Sequence, residues 1–157
     1  MLLVSLLIFY NQFISSERTL LGEFNIEGID LYQQIRTSAN NGEFPHWINA
    51  WHGGMPFYGH SEKSVVFYTT LIALLFPNPV AGMNFTLFLH AFLLGLFVYL
   101  VLVKFEVKPR FAFAAAFMVV YSRFFIWIAV SYVHRYGLLV WLPLLFYFLY
   151  KACYSHE

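Results

Sequence analysis

The chain has 157 residues, of which 61% are apolar and 11% are charged, whereas about a quarter of the residues are charged in an ordinary soluble domain. Its 22% aromatic share excludes a disordered or low-complexity chain, and its net charge of +1 provides no basic surface for a nucleic-acid partner. The single cysteine, Cys153, excludes an intrachain disulfide. The composition predicts an all-α, polytopic transmembrane helical bundle embedded in a lipid bilayer.

The chain begins with a short apolar run, Met1 to Ile14, which ends at the polar sequence Ser15-Ser16-Glu17-Arg18. A secretory signal peptide carries a basic residue before its apolar run and a small-residue cleavage site after it. Neither feature is present in this sequence. We therefore interpret the run as an uncleaved first membrane span.

A long loop follows over residues 15–82 and contains most of the polar residues of the chain. Its first predicted element is a surface helix over about residues 31–40. Asp30 and Gln33 form an Asp-x-x-Gln capping pattern at its start. Asn41-Gly42 supplies a left-handed stop at its end.

The next part of the loop is rich in aromatic residues and includes Trp47 and Trp51. Tryptophans beside a membrane usually lie in the headgroup belt, but they also stack on the apolar face of a sugar ring, and the sequence leaves both roles open. His46, His52 and His60 are separated by five and seven intervening residues, a spacing that matches no zinc site. No metal site is predicted, whereas a requirement for a divalent cation as cofactor stays open.

A twelve-residue apolar run, Val65 to Phe76, closes the loop region. A helix of this length covers about 18 Å at 1.5 Å per residue, which is too short for a hydrocarbon layer of about 30 Å. We predict an interfacial or re-entrant helix that stops at Pro77-Asn78-Pro79.

Three further spans are predicted over residues 83–103, 111–129 and 136–150. The first of them contains His90, for which we expect a hydrogen-bonded packing role. The basic loop over residues 104–110 indicates the cytoplasmic side. The predicted topology therefore has about four spans, with the N-terminus inside and the long loop outside.

Short motifs occur in a defined order along the chain. They are Gly28-Ile29-Asp30, Phe44-Pro45-His46-Trp47-Ile48-Asn49, Gly53-Gly54-Met55-Pro56-Phe57, Phe67-Tyr68, Leu89-His90, Leu94-Gly95-Leu96 and Trp141-Leu142-Pro143-Leu144. In this order they resemble bacterial YfhO-type membrane proteins and the related polytopic domains of the GT-C glycosyltransferase superfamily. The resemblance covers roughly residues 24–151. It implies the N-terminal portion of a multi-pass enzyme in the cytoplasmic membrane of a prokaryote, with further spans in the rest of that enzyme.

The resemblance also implies a reaction, the transfer of a sugar from a polyprenyl-phosphate donor to a cell-envelope acceptor on the outer face. In the superfamily an acidic residue follows the first helix, and the matching position here is Asp30. This carboxylate would be the catalytic base that takes the proton of the acceptor hydroxyl. Its other interpretation is the N-cap of the surface helix. Glu27, the nearest other acid, is a candidate substrate-binding residue beside it.

Three cationic or titratable residues are candidates for binding the donor. Arg123 is predicted in the outer half of the third span, where a cation is costly unless it is paired. It would pair with the carboxylate of Asp30 or Glu27, reach the membrane surface, or hold the donor phosphate. His134 and Arg135 stand between the third and fourth spans, as an interface anchor or as a second phosphate contact.

A different class of function stays open beside the enzyme. The chain would then be a non-catalytic membrane module, such as a lipid-linked-sugar flippase-like or scaffold subunit. Its partner would be a further membrane subunit, whereas the partner of the enzyme would be the polyprenyl-phosphate sugar. No nucleic-acid partner is expected for either.

Overall fold

The computed structural model describes residues 3–8, 23–43, 46–48, 54–56 and 68–154. These residues are mostly helical. The helices are α1 (3–8), α2 (Glu23–Asn40), α3 (Tyr68–Leu74), α4 (Pro79–Lys104), α5 (Pro109–Val120), α6 (Arg123–Ser131), α7 (Val133–Leu139) and α8 (Leu142–Tyr154). Two short strands, β1 (Trp47–Ile48) and β2 (Met55–Pro56), pair antiparallel.

Two helices in the described residues are long and apolar enough to cross a membrane. They are α4 and the run Arg135–Tyr154, which is formed by α7 and α8. A further candidate is the pair α5 and α6, which are bent by 45° at the break between them. The part of the chain that the structure describes therefore contains two candidate membrane-spanning helices, or three if the bent pair is one span. The predicted first span, residues 1–14, is described only over residues 3–8, and the four-span arrangement stays a prediction.

Helix α4 is the centre of the bundle and packs against α2, α3, α5, α7 and α8. It begins after Asn78, whose side chain accepts a hydrogen bond of 2.9 Å from the backbone N–H of Val80, and Pro79 occupies its first turn. Its 26 residues extend about 39 Å at 1.5 Å per residue. This length is enough to cross the bilayer with some tilt.

The buried core collects side chains from the helices around α4. Its fully buried members are Leu6, Tyr32, Ile35, Met83, Leu87, Ala91, Leu94, Val120, Ala129, Tyr136 and Val140. By contrast, α8 contributes no buried residue and exposes most of its apolar side chains. The outer surface of α8 is therefore suited to lipid or to another membrane helix.

Helix α2 begins at Glu23, eight residues before the predicted start, so Asp30 lies within the helix. The interpretation of Asp30 as the N-cap was therefore wrong. The reason is that the buried face of α2 starts before this residue, since Ile29 packs against the core together with Tyr32 and Ile35. Burial of this face stabilises the helix around Asp30.

The predicted end of α2 is confirmed. Gly42 has a φ of 72°, and its N–H donates to the carbonyl of Ala39 at 3.0 Å, while the N–H of Glu43 donates to the carbonyl of Ser38 at 2.9 Å. These two bonds form a Schellman motif, in which a glycine takes the left-handed position at no steric cost.

Helix α3 lies within the predicted short helix over residues 65–76 and ends before Pro77. Its N-terminal neighbours, residues 65–67, are outside the described residues. The guanidinium of Arg36 in α2 donates a hydrogen bond to the carbonyl of Phe76, which ties α2 to the turn between α3 and α4. The position of α3 at the membrane surface stays a prediction.

The predicted third span is not one continuous helix. α5 ends at Val120, and α6 begins at Arg123. The side chain of Ser122 accepts a hydrogen bond of 3.4 Å from the N–H of Phe125, so this serine caps a new helix instead of continuing the old one. Serine side chains compete with the helical backbone in this way, and the hydropathy of the segment did not reveal it.

Candidate functional site

A polar cluster lies where α3 meets α4, α7 and the segment that joins α7 to α8. The hydroxyl of Tyr68 lies 3.0 Å from Nε2 of His90, 2.8 Å from the carbonyl oxygen of Gly137 and 3.4 Å from Nε1 of Trp141. His90 is fully buried, and Tyr68 is partly buried. We call these four residues the Tyr68 cluster.

The geometry fixes the direction of each hydrogen bond in the Tyr68 cluster. A tyrosine hydroxyl has one proton, and the carbonyl of Gly137 can only accept, so Tyr68 donates to it. The indole N–H of Trp141 can only donate, so it gives its proton to the Tyr68 oxygen. The imidazole of His90 must then also donate from Nε2.

This assignment leaves Nδ1 of His90 as the acceptor nitrogen of a neutral ring. Nδ1 is buried and has no hydrogen-bond partner among the described residues. The ring of His90 also meets two tyrosines edge to face, Tyr68 at a centroid distance of 5.6 Å and Tyr136 at 6.1 Å. The predicted packing role of His90 is confirmed by these contacts.

The Tyr68 cluster connects helices of the bundle. It joins the short α3 to α4 and to the run Arg135–Tyr154 through one oxygen atom. Burial raises the pKa of the Tyr68 phenol, although the hydrogen bond from Trp141 lowers it in part, so the hydroxyl keeps the proton that it donates. These hydrogen-bonded pairs could not be predicted from local sequence patterns, because the partners of Tyr68 lie between 22 and 73 residues from it in the chain.

The predicted catalytic residue Asp30 and its neighbour Glu27 are positions on α2. α2 packs against α6, the helix that begins at Arg123. Both helices contribute to the buried core, α2 with Tyr32 and α6 with Ala129. The fold thus brings together the two helices that carry the predicted base and the predicted phosphate ligand.

Arg123 is the first residue of α6, directly after the bend that separates α5 from α6. Its side chain is exposed and forms no ion pair with any residue that the structure describes. The first N–H groups of α6 lie beside it, and the N-terminus of a helix attracts anions. Arg123 is therefore placed at a break in an apolar helix pair rather than inside a straight span.

The other predicted ligands of the donor are His134 and Arg135 in α7. The guanidinium carbon of Arg135 lies 4.4 Å from the ring centroid of Tyr132, and the side chain is exposed. A cation that stacks on a tyrosine at the start of a candidate span fits an interface anchor. His134 is described as a position on the same helix.

Trp47 lies in the β-hairpin, where it pairs with Pro56 across the strands. Gly54 has a φ of 106°, and a Cβ atom at this position would overlap the indole of Trp47. The indole thus covers Gly54, and 52% of Trp47 is still exposed. Trp51, the other predicted tryptophan, lies outside the described residues, as do His52 and His60.

Among the residues that the structure describes, no three His, Cys, Asp or Glu side chains come together as a metal site. No protein-family model matches the chain, and comparison with curated proteins and with solved structures finds no similar protein. The resemblance to YfhO-type and GT-C proteins therefore stays a prediction from the order of the motifs.

Proposed function

We propose that the chain is part of a GT-C-type membrane glycosyltransferase that transfers a sugar from a polyprenyl-phosphate donor to a cell-envelope acceptor on the outer face. The observation that supports this proposal is the packing of α2 against α6. α2 carries Glu27 and Asp30, and α6 begins at the exposed Arg123. α2 thus offers acidic positions and α6 a cationic residue, which are the two kinds of group that the reaction requires.

Sugar transfer from a lipid phosphate requires a base for the acceptor hydroxyl and a cation for the leaving phosphate. Asp30 takes the first role in this proposal. Arg123 takes the second, since its planar guanidinium binds phosphate through two parallel hydrogen bonds. The N-terminus of α6 adds to the attraction through its helix dipole, as the ends of broken membrane helices do where they bind anions.

The hairpin supplies a third element of the proposal. Trp47 presents a half-exposed indole whose position is fixed by Gly54. A flat aromatic surface of this kind positions a sugar ring by stacking on its apolar face. Positioning of the two reactants contributes to the rate because the reaction becomes effectively unimolecular.

The experiment that tests the proposal is the substitution Asp30→Asn in the full-length protein, assayed for transfer from a polyprenyl-phosphate sugar. Loss of a general base lowers the rate by about 10²- to 10⁴-fold. Glu43→Gln is the matched control, because Glu43 is an exposed acid just beyond the end of α2, and it should retain the transfer rate. Unchanged transfer by Asp30→Asn, with the protein present at normal levels in the membrane, would refute the assignment of Asp30.

The second candidate function is a non-catalytic subunit that binds a larger membrane protein. It is supported by α8, which buries no residue within this chain and exposes Leu145, Phe146, Phe148 and Leu149. Such a face packs against a neighbouring membrane helix through its side chains. Co-purification with a glycosyltransferase that is lost on Phe146→Ala, together with unchanged transfer by Asp30→Asn, would favour this function over the enzyme.

A further inference from the structure

An apolar groove of about 430 Å³ lies between α1, α4 and α5. This volume is within the range of small-molecule sites. Leu3 of α1 lines one part of the groove. The other lining residues are Phe92, Leu96, Tyr99, Pro109, Phe113 and Ala116.

The groove runs along the two helices and ends at the turn that joins them. Phe92 and Tyr99 on α4 are seven residues apart, as are Pro109 and Ala116 on α5, which gives the groove a length of about 10 Å at 1.5 Å per residue. α4 leads into the turn and α5 leads out of it. Tyr99 and Pro109 are therefore at the end next to the turn, and the opposite end lies deeper in the bundle.

The turn beside the groove is basic. Lys108 lies in it, Lys104 ends α4 before it and Arg110 lies in the first turn of α5, all of them exposed, against the single acid Glu106. Lys108 and Arg110 flank Pro109, which itself lines the groove. The guanidinium of Arg110 is held over the ring of Phe111, with its carbon 4.8 Å from the centroid. Lys108 and Arg110 thus place positive charge next to Pro109, at one end of the apolar groove.

We propose that this groove binds an anionic phospholipid. The phosphate headgroup lies at Lys108 and Arg110, and one acyl chain lies along Leu96 and Phe113. The proposal goes beyond the glycosyltransferase, because it concerns α4 and α5 and uses none of the residues of α2.

The positive charge next to the groove favours an anionic phospholipid as its occupant. A zwitterionic lipid would gain less from the cations beside the groove, because it carries a positive group next to its phosphate, and a further apolar helix would not use them at all. Each Lys or Arg near a membrane surface attracts an anionic lipid, and basic pockets between membrane helices bind anionic headgroups. Tyr99 fits the same position, since its amphipathic ring suits the boundary between headgroup and acyl chain.

The test uses the purified chain in detergent micelles, titrated with phosphatidylglycerol or with phosphatidylcholine of identical acyl chains, with bound lipid counted by native mass spectrometry. We expect phosphatidylglycerol to bind more tightly. The double substitution Lys108→Gln with Arg110→Gln should weaken phosphatidylglycerol binding by about 25-fold, at about fivefold for each cation. It should weaken phosphatidylcholine binding much less, because the positive choline group of that lipid offsets the attraction of its phosphate to the two cations.

Two controls separate this site from general attraction. Lys151→Gln removes an exposed cation from α8, which does not line the groove, and should change phosphatidylglycerol binding less than the double substitution does. Leu96→Trp fills the groove and should weaken both lipids, and Phe113→Trp repeats this test from the facing helix. Folding of each variant is checked by its thermal unfolding and its elution as a single species.

Three results would overturn the proposal. Equal binding of the two lipids by the unsubstituted chain would show that the cations select nothing. An equal loss in Lys151→Gln would show that any surface cation has the same effect. Displacement of phosphatidylglycerol by the deacylated headgroup or by inorganic phosphate, at the concentration at which the lipid itself binds, would show that the groove does not hold an acyl chain.

Discussion

The Tyr68 cluster and the bend at Arg123 place polar groups in apolar surroundings in opposite ways. In the cluster one hydroxyl satisfies three neighbours, His90, Gly137 and Trp141, between packed helices. At the bend the chain breaks its helix, caps the new one with Ser122 and leaves Arg123 exposed. The comparison teaches that the first arrangement satisfies its polar groups within the bundle, whereas the second leaves its charge exposed, where the proposed function assigns it to a phosphate.

The largest effect on stability is expected from Tyr68→Phe. This substitution leaves His90 Nε2, the Gly137 carbonyl and the Trp141 indole N–H without their common partner. Each unsatisfied buried polar group costs about 1–3 kcal/mol, although values in membrane bundles average less. We expect a loss of about 3 kcal/mol in the free energy of unfolding, measured by denaturation in mixed micelles.

The matched control for this prediction is Tyr99→Phe, which removes a hydroxyl from the same bundle but outside the Tyr68 cluster. It should change the free energy of unfolding much less than Tyr68→Phe does. Equal losses for the two substitutions would show that the cluster has no special part in stability.

Arg123→Gln is expected to act on function and to leave stability nearly unchanged. The guanidinium is exposed and has no ion-pair partner in the described residues, so its loss removes no folded contact. If it holds the donor phosphate, transfer in the full-length protein should fall by at least about tenfold, as expected for loss of a charge-assisted hydrogen bond of 1.5–3 kcal/mol. Arg123→Lys keeps the charge and should recover part of the rate. A lower free energy of unfolding with an unchanged transfer rate would show that Arg123 serves stability and does not hold the donor phosphate.

Ser122→Ala is expected to weaken the bend itself. Loss of an N-cap side chain costs about 1 kcal/mol, and the N–H of Phe125 loses its partner. The free energy of unfolding should fall by this amount, whereas Ser122→Thr should retain most of it because the hydroxyl is kept. If Ser122→Ala has no effect, the bend does not depend on the cap.

Trp141→Phe is expected to have the smallest effect of the four. The hydrogen bond from its indole is long, at 3.4 Å, and the side chain is 45% exposed. Phenylalanine also retains part of the ring contact with Phe97. We expect a loss of about 0.5 kcal/mol in the free energy of unfolding, and a loss as large as that of Tyr68→Phe would show that the indole N–H is essential to the cluster.

Several features of the fold follow from local sequence. α4 is apparent from its apolar length, and the end of α2 follows from Asn41-Gly42, because a left-handed glycine closes the Schellman motif. These features depend on residues that are close together in the chain. The packing role of His90 is likewise expected of a histidine in an apolar helix.

Other features depend on contacts that the local pattern does not contain. The start of α2 precedes Asp30 because Ile29 meets a core built by helices far along the chain. The break at Ser122 depends on whether a serine caps a new helix or faces the old one, which hydropathy does not distinguish. For the site, the packing of α2 against α6 joins segments that are about a hundred residues apart, so the sequence can name Asp30 and Arg123 but does not show that their helices pack together.

The contact between Trp47 and Gly54 has a consequence for how this chain can vary. The indole occupies the space in which any side chain at position 54 would begin, and the φ of 106° is itself restricted to glycine in practice. The residues at positions 47 and 54 are therefore expected to covary. In related chains a tryptophan at position 47 should be accompanied by glycine at position 54, and a larger residue at 54 should appear only where the ring at 47 has been replaced and the turn rebuilt.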